Sequence, residues 1–422
     1  MVTASPAALF PRVKWSWLWG SKQTDITWTF APFWMGFVLA AALYLSHSTG
    51  VMGQQPAWAL HLFGRNLNIS ALLLFFYGPL VDAPHLWATV ARTYTDREEW
   101  AARARLFLGS FAWFAIGPIV IALPYLLHAT VGFPAGKENV SWLVWMRFFE
   151  FYALFHIAKQ HWGFISLYKR KNADMADERE NRADALFFKT AIWLPYAAML
   201  TAPWYVDFDN QPFSFLNVAI GTHTLGWCLH IACIVAAVGL CAAYALFQYE
   251  QWRKGSARNG PKLAYMATVI GLYFITFSFS PLVATFWVAI TGFGHCVQYH
   301  RVVWAYGATK YAVKPEAAQQ PSLPSRIFAS PGLYIALGIV FGIVTLQGPL
   351  GLHAEYAVAR VVEGTSLHRF FSYLNQHDFV DVGVKLLAGV IGGVRLHHFY
   401  VDSKIWRVSK SAALAKNLNV AA

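Results

Sequence analysis

Apolar runs of roughly bilayer length recur along this chain, and no other feature restricts its fold as much. A helix needs about 20 mostly apolar residues to cross the hydrocarbon core, where no water is present to satisfy a broken backbone hydrogen bond. Ten runs approach that length: 30–47, 68–91, 106–128, 142–168, 187–204, 214–248, 263–279, 282–306, 331–350 and 382–403. The seventh and eighth are one continuous stretch, divided at Ser280-Pro281 because proline interrupts the helical hydrogen-bond ladder. The expected fold is an all-α, polytopic integral membrane protein with about ten transmembrane helices. Residues 30–403 would form a single helical domain between a cytoplasmic segment, 1–29, and a cytoplasmic tail, 404–422.

Charge placement tests the count, because cytoplasmic loops carry the excess of Lys and Arg. With the N-terminus inside, the inner segments hold Arg12, Lys14 and Lys22, Arg92 to Arg105, Lys169 to Arg182, Arg253 to Lys262, Lys310 to Arg326, and Lys404 to Lys410. The outer segments hold few, chiefly Arg65, Lys137, Arg360 and Arg369. This alternation places both termini in the cytoplasm, as in a multi-pass protein of a bacterial-type inner membrane. The chain is 57% hydrophobic and 13% charged. Its formal net charge of +12 is therefore read as topology, not as a nucleic-acid surface. The four cysteines lie within apolar runs without metal or redox spacing and read as core thiols. No apolar core precedes a cleavage site in residues 1–22, so the first run reads as a retained helix. Residues 351–381 mix apolar residues with His353, His368 and His377 and suggest an interfacial amphipathic helix.

Four of the runs end in ionisable clusters: Asp82 with His85; His156, Gln160 and His161; His295, Gln298 and His300; and His397, His398 and Asp402. On the expected topology all four ends lie on the cytoplasmic side. His85 stands seven residues before Arg92, His161 eight before Lys169, and His398 six before Lys404, depths that agree within a turn at about 1.5 Å per residue. Ionisable side chains inside a bilayer are costly and face a cavity, a partner or a metal, and imidazole is a common ligand for iron, copper and zinc.

Spacing qualifies each cluster. Asp82/His85 at i,i+3 and His398/Asp402 at i,i+4 each share a helix face, as a ligand and its orienting carboxylate would. His156/His161 and His295/His300 are i,i+5, about 140° apart around the helix and about 7.5 Å apart along it, so both members do not reach one ion on a regular helix. Either one of each pair binds, or two metals are held. The preferred ligands are His85, His161, His295 and His398, followed by His156, His300 and His397. Asp82, Gln160 and Asp402 serve as ligands or orienters.

Pro84-His85, the two later His pairs, and His397-x4-Asp402 resemble, in order and setting, the bacterial Brp/Blh-type carotene-cleaving dioxygenases. The resemblance implies a multi-helix membrane enzyme with a histidine-ligated non-haem iron. It makes His85, His156 or His161, and His295 with His300 the iron ligands. More loosely, the clusters are similar to the histidine boxes of membrane fatty-acid desaturases and hydroxylases. The expectation is an oxygenase holding one or two non-haem irons, with copper or zinc as substitutes. It would act with dioxygen on a lipid, isoprenoid or hydrocarbon taken from the membrane, with an electron donor where the reaction needs one. Two alternatives stay open. One is a haem-binding electron-transfer protein, for which His223 and His230 share a helix face. The other is a metal or proton-coupled transporter.

Overall fold

The computed structural model describes residues 13–48, 59–62, 65–68, 77–131, 138–174, 177–203, 214–278, 287–312, 322–344 and 378–420. Helices dominate among them, and the strands form only three two-stranded pairings: Val13–Lys14 with Arg258–Asn259, Ala59–Leu62 with Arg65–Asn68, and Ala219–Ile220 with His223–Thr224. Among the described residues, three stretches are long and apolar enough to cross a membrane, Arg97–Leu127, Leu225–Arg253 and Gly260–Ser278, consistent with membrane association. The split at Ser280-Pro281 and the 351–377 part of the expected interfacial segment lie outside the described residues.

Helices stand where several runs were expected, as Ala31–Ser48, Trp113–Val131, Glu138–Lys171, Pro331–Val344 and Asp378–Ile405. The run 187–204 differs from the single helix expected there. Glu178–Ala191 ends and Trp193–Thr201 begins after a turn at Ile192. Pro195 explains the break, since it has no N–H to give to the Ala191 carbonyl and its ring crowds that oxygen.

The chain divides into two compact units. The first comprises residues 1–40, 158–294 and 420–422. In it, Leu225–Arg253 and Gly260–Ser278 both pack on Trp193–Thr201. A buried ionic network joins its helices: Asp184 accepts from Lys169 at 2.8 Å, Lys262 at 2.9 Å and the Tyr244 hydroxyl at 2.6 Å. Lys262 also donates to Glu180 at 2.5 Å. Each charge is matched, which is the condition for keeping ions away from water, because removing one partner of such a pair costs about 3–5 kcal/mol.

The second unit comprises residues 41–157 and 295–419. Asp378–Ile405 packs along Trp113–Val131 and also touches Ala83–Thr93 and Arg97–Ser110. Close approach depends on glycine at the crossing: a Cβ at Gly117 would lie 2.3 Å from the Gly389 carbonyl oxygen, and one at Gly393 would lie 2.4 Å from the Trp113 carbonyl oxygen. Small residues four apart serve this purpose between membrane helices, where backbone contact replaces the hydrophobic driving force. Ile121, Trp145, Leu396 and Phe399 seal the core beside this crossing. The contact therefore fixes the height at which His397 and His398, on the next turn, enter the unit.

Two π-helical turns lead into site helices. Gly78–Asp82 precedes Ala83–Thr93, and Trp287–Gly292 precedes Phe293–Lys310. In both cases a histidine follows three residues after the π turn, as His85 and His295. Pro84 cannot bond the Leu80 carbonyl, and the wider i→i+5 turn accommodates that loss.

Candidate metal centre

Four histidines from four helices meet inside the second unit. His85 comes from Ala83–Thr93, His156 from Glu138–Lys171, His295 from Phe293–Lys310 and His398 from Asp378–Ile405. The His85 ring centroid lies 4.4 Å from that of His398, 4.5 Å from that of His295 and 6.4 Å from that of His156. His156 lies 5.1 Å from His398 and 5.2 Å from His295, and stacks on Phe399 at 4.3 Å. Ligand nitrogens of His85, His156 and His398 all fall within 4.8 Å of one another. All four residues are buried, with His85 only 2% exposed.

Neither nitrogen of His85 has a hydrogen-bond partner. Leaving a buried polar group unsatisfied costs about 1–3 kcal/mol. A metal ion bound among these imidazoles would remove that cost on one ring nitrogen. The donor set, three or four neutral nitrogens with no sulfur among them, suits iron, copper or zinc.

A second layer lies one turn further along the same helices. His85, His295 and His398 are followed at i+4 by Thr89, Tyr299 and Asp402, about 6 Å further along each axis. Both hydroxyls converge on the carboxylate. Thr89 Oγ1 donates to Asp402 Oδ1 at 2.8 Å, Tyr299 donates to the same oxygen at 2.7 Å, and the two hydroxyl oxygens lie 2.6 Å apart. Trp406 Nε1 donates to the Tyr299 hydroxyl at 3.2 Å.

This layer sets the tautomer of His398. With Asp402 ionised, its Oδ1 takes the one Thr89 hydroxyl proton, so in the 2.7 Å contact with His398 Nδ1 the ring N–H donates and the threonine oxygen accepts. The lone pair of His398 is thereby placed on Nε2, which has no hydrogen-bond partner and stands 3.7 Å from Asp402 Oδ2. A carboxylate that holds the far nitrogen of a ligating histidine through a hydroxyl is a recognised way to orient the ring and raise its basicity. Below the layer, Arg92 lies with its guanidinium 3.4 Å from the Trp406 ring and 4.4 Å from the Tyr306 ring, and donates to the Ile405 carbonyl at 2.9 Å.

The i,i+5 pairs are each divided, as helix geometry requires. His156 joins the cluster, whereas His161, preferred from sequence, belongs to the first unit. There its Nδ1 lies 2.7 Å from the Tyr265 hydroxyl and its Nε2 3.1 Å from the Tyr273 hydroxyl, which occupies both ring nitrogens. His295 joins the cluster, and His300 is held through Nδ1 by the Tyr334 hydroxyl at 3.0 Å. His397 is kept aside in an aromatic box, stacked on Phe111 at 5.2 Å with Nε2 2.9 Å from the Tyr94 hydroxyl. Gln160 is partly buried in the first unit. Asp82 is paired with Arg395, whose Nε donates at 2.8 Å. Of the pair considered for haem, His223 is exposed and His230 bonds the Ala198 carbonyl at 2.8 Å.

Sequence reasoning missed Thr89, Tyr299, Trp406 and Arg92. For the first two a signal was present, since each is one helical turn from a cluster histidine on the same face, the relation that singled out His398 and Asp402. Compared with protein-family models, curated proteins and solved structures, the chain matches none.

Proposed function

We propose that this protein is a membrane-embedded non-haem iron oxygenase that uses dioxygen on a lipophilic substrate. The observation that carries the reading is the buried cluster of His85, His156, His295 and His398, tethered by a Thr-Tyr-Asp layer. We place it in a ten-helix architecture with both termini on the cytoplasmic side of a bacterial-type inner membrane, because Lys and Arg then concentrate in the inner segments. The resemblance to carotene-cleaving dioxygenases makes isoprenoids the first substrate class to try, followed by other lipids and hydrocarbons.

His85, His156 and His398 would hold the ion, with His295 as a fourth donor. Bound iron supplies dioxygen activation, and three or four neutral ligands leave positions open for it. The chain's own contribution is orientation and exclusion. Thr89 and Asp402 keep the His398 lone pair on Nε2, Phe399 fixes the plane of His156, and the buried setting keeps bulk water from the reacting atoms. A porphyrin does not fit among these imidazoles, because the widest gap, 6.4 Å between His85 and His156, has the His295 and His398 rings within 5.2 Å of both, which favours a bare ion over haem at this place.

The reading is tested by incubating detergent-purified, iron-loaded protein with an isoprenoid and lipid extract under 18O-labelled dioxygen, with reductant supplied. Label appearing in a lipophilic product is the expected result. Iron-loaded protein that neither consumes dioxygen nor labels any product contradicts it.

A further inference from the structure

A second group of metal-ligating side chains adjoins the cluster and shares one member with it. Ligand atoms of Asp82, His85 and Cys296 all lie within 4.8 Å of one another. The three come from consecutive features already described. Asp82 is the last residue of the π turn that leads to His85, and Cys296 directly follows His295. Cys296 is 1% exposed and His85 2%. The Cys296 thiol has the Tyr77 hydroxyl at 3.8 Å, a long contact even for sulfur.

His85 links the two groups. Its two ring nitrogens point in different directions, and neither has a hydrogen-bond partner. One ion among His85, His156 and His398 takes one nitrogen and leaves the other buried and unsatisfied. Asp82 is also prepared as a ligand would be. Arg395 binds its Oδ2 through Nε and a terminal nitrogen, which fixes the carboxylate plane and leaves Oδ1 outside that pairing.

We propose that Asp82, His85 and Cys296 form a second site for a borderline-soft divalent transition metal, with His85 bridging it to the histidine centre. This rests on reading the histidine cluster as a metal centre. Thiolate, imidazole and carboxylate together suit zinc, cobalt or ferrous iron better than magnesium or calcium. Filling both places releases the Cys296 thiol proton and the remaining His85 ring proton to solvent, with no change of oxidation state.

Cobalt(II) is the probe, titrated into the metal-free, full-length protein in detergent and followed by equilibrium dialysis and absorption. The wild-type chain is expected to bind two cobalt ions and to develop a thiolate-to-cobalt charge-transfer band. Cys296→Ser and Cys296→Ala are expected to bind one and lose the band, and Asp82→Asn to weaken only the ion that gives it. His156→Ala is expected to lose the other ion and keep the band. One cobalt without the band in wild type, or two cobalt ions in both Cys296 variants, overturns the second site and leaves the histidine centre standing. No bound cobalt in wild type overturns both.

Discussion

His85→Ala is expected to abolish metal binding altogether, because this ring is common to both groups of ligands and touches every other histidine of the cluster. Changes to residues that merely support a ligand cost about 10–100-fold in metal affinity, so loss of a central ligand should exceed about 100-fold. Thermal unfolding separates this from simple damage. A metal at a hundredfold excess over its Kd stabilises the folded state by about 2.7 kcal/mol, so adding iron should raise the wild-type Tm and leave that of His85→Ala unmoved. In metal-free protein the two should differ less, because the substitution removes two unsatisfied buried nitrogens while opening a cavity. A variant that still gains stability from iron would show that His85 is not a ligand.

Thr89→Val is the second large effect. The two side chains have nearly the same shape, but valine can neither accept from His398 Nδ1 nor donate to Asp402. With the hydroxyl gone, nothing in the second layer selects the His398 tautomer that presents Nε2. Iron affinity is expected to fall about 10–100-fold, and stability by about 1–3 kcal/mol for the buried groups left unpaired. Thr89→Ser, which keeps the hydroxyl, should recover most of the affinity. Equal iron affinity in Thr89→Val and wild type, measured by competition with a chelator, would remove this residue from the account.

Much of this was legible because helix periodicity leaves little freedom. The length of the apolar runs located most of the described helices, and 100° per residue indicated that His156 and His161, or His295 and His300, do not both reach one ion on a regular helix. Which member of each pair turns to the cluster was not legible. That choice depends on hydroxyls far away in sequence: Tyr265 and Tyr273 hold His161, and Tyr334 holds His300. The same limit reversed the preference for His161 over His156. His397 and His398 are adjacent and therefore point to different sides, and the Phe111 and Tyr94 box that takes His397 comes from helices some 300 residues earlier.

The second layer shows the opposite case. Thr89 and Tyr299 carry no metal-ligand signature, yet their i+4 relation to His85 and His295 repeats that of Asp402 to His398. Three helices entering side by side convert three unrelated spacings into one group centred on the Asp402 carboxylate. The π turns before His85 and His295 were hidden for a different reason. Pro84 announces a disturbed ladder, but sequence does not say whether the chain answers with a kink, a break or a wider turn, and Pro195 produced a break instead.

The central claim is that His85, His156 and His398, with His295 beside them, hold a non-haem metal. Metal analysis together with an absorption spectrum of the detergent-purified chain tests it most directly. The account predicts iron bound in at least one-to-one ratio with protein, no Soret band, and loss of that iron in His85→Ala. Protein that is active without bound metal, or whose iron is present as haem with an intense Soret band, would contradict it.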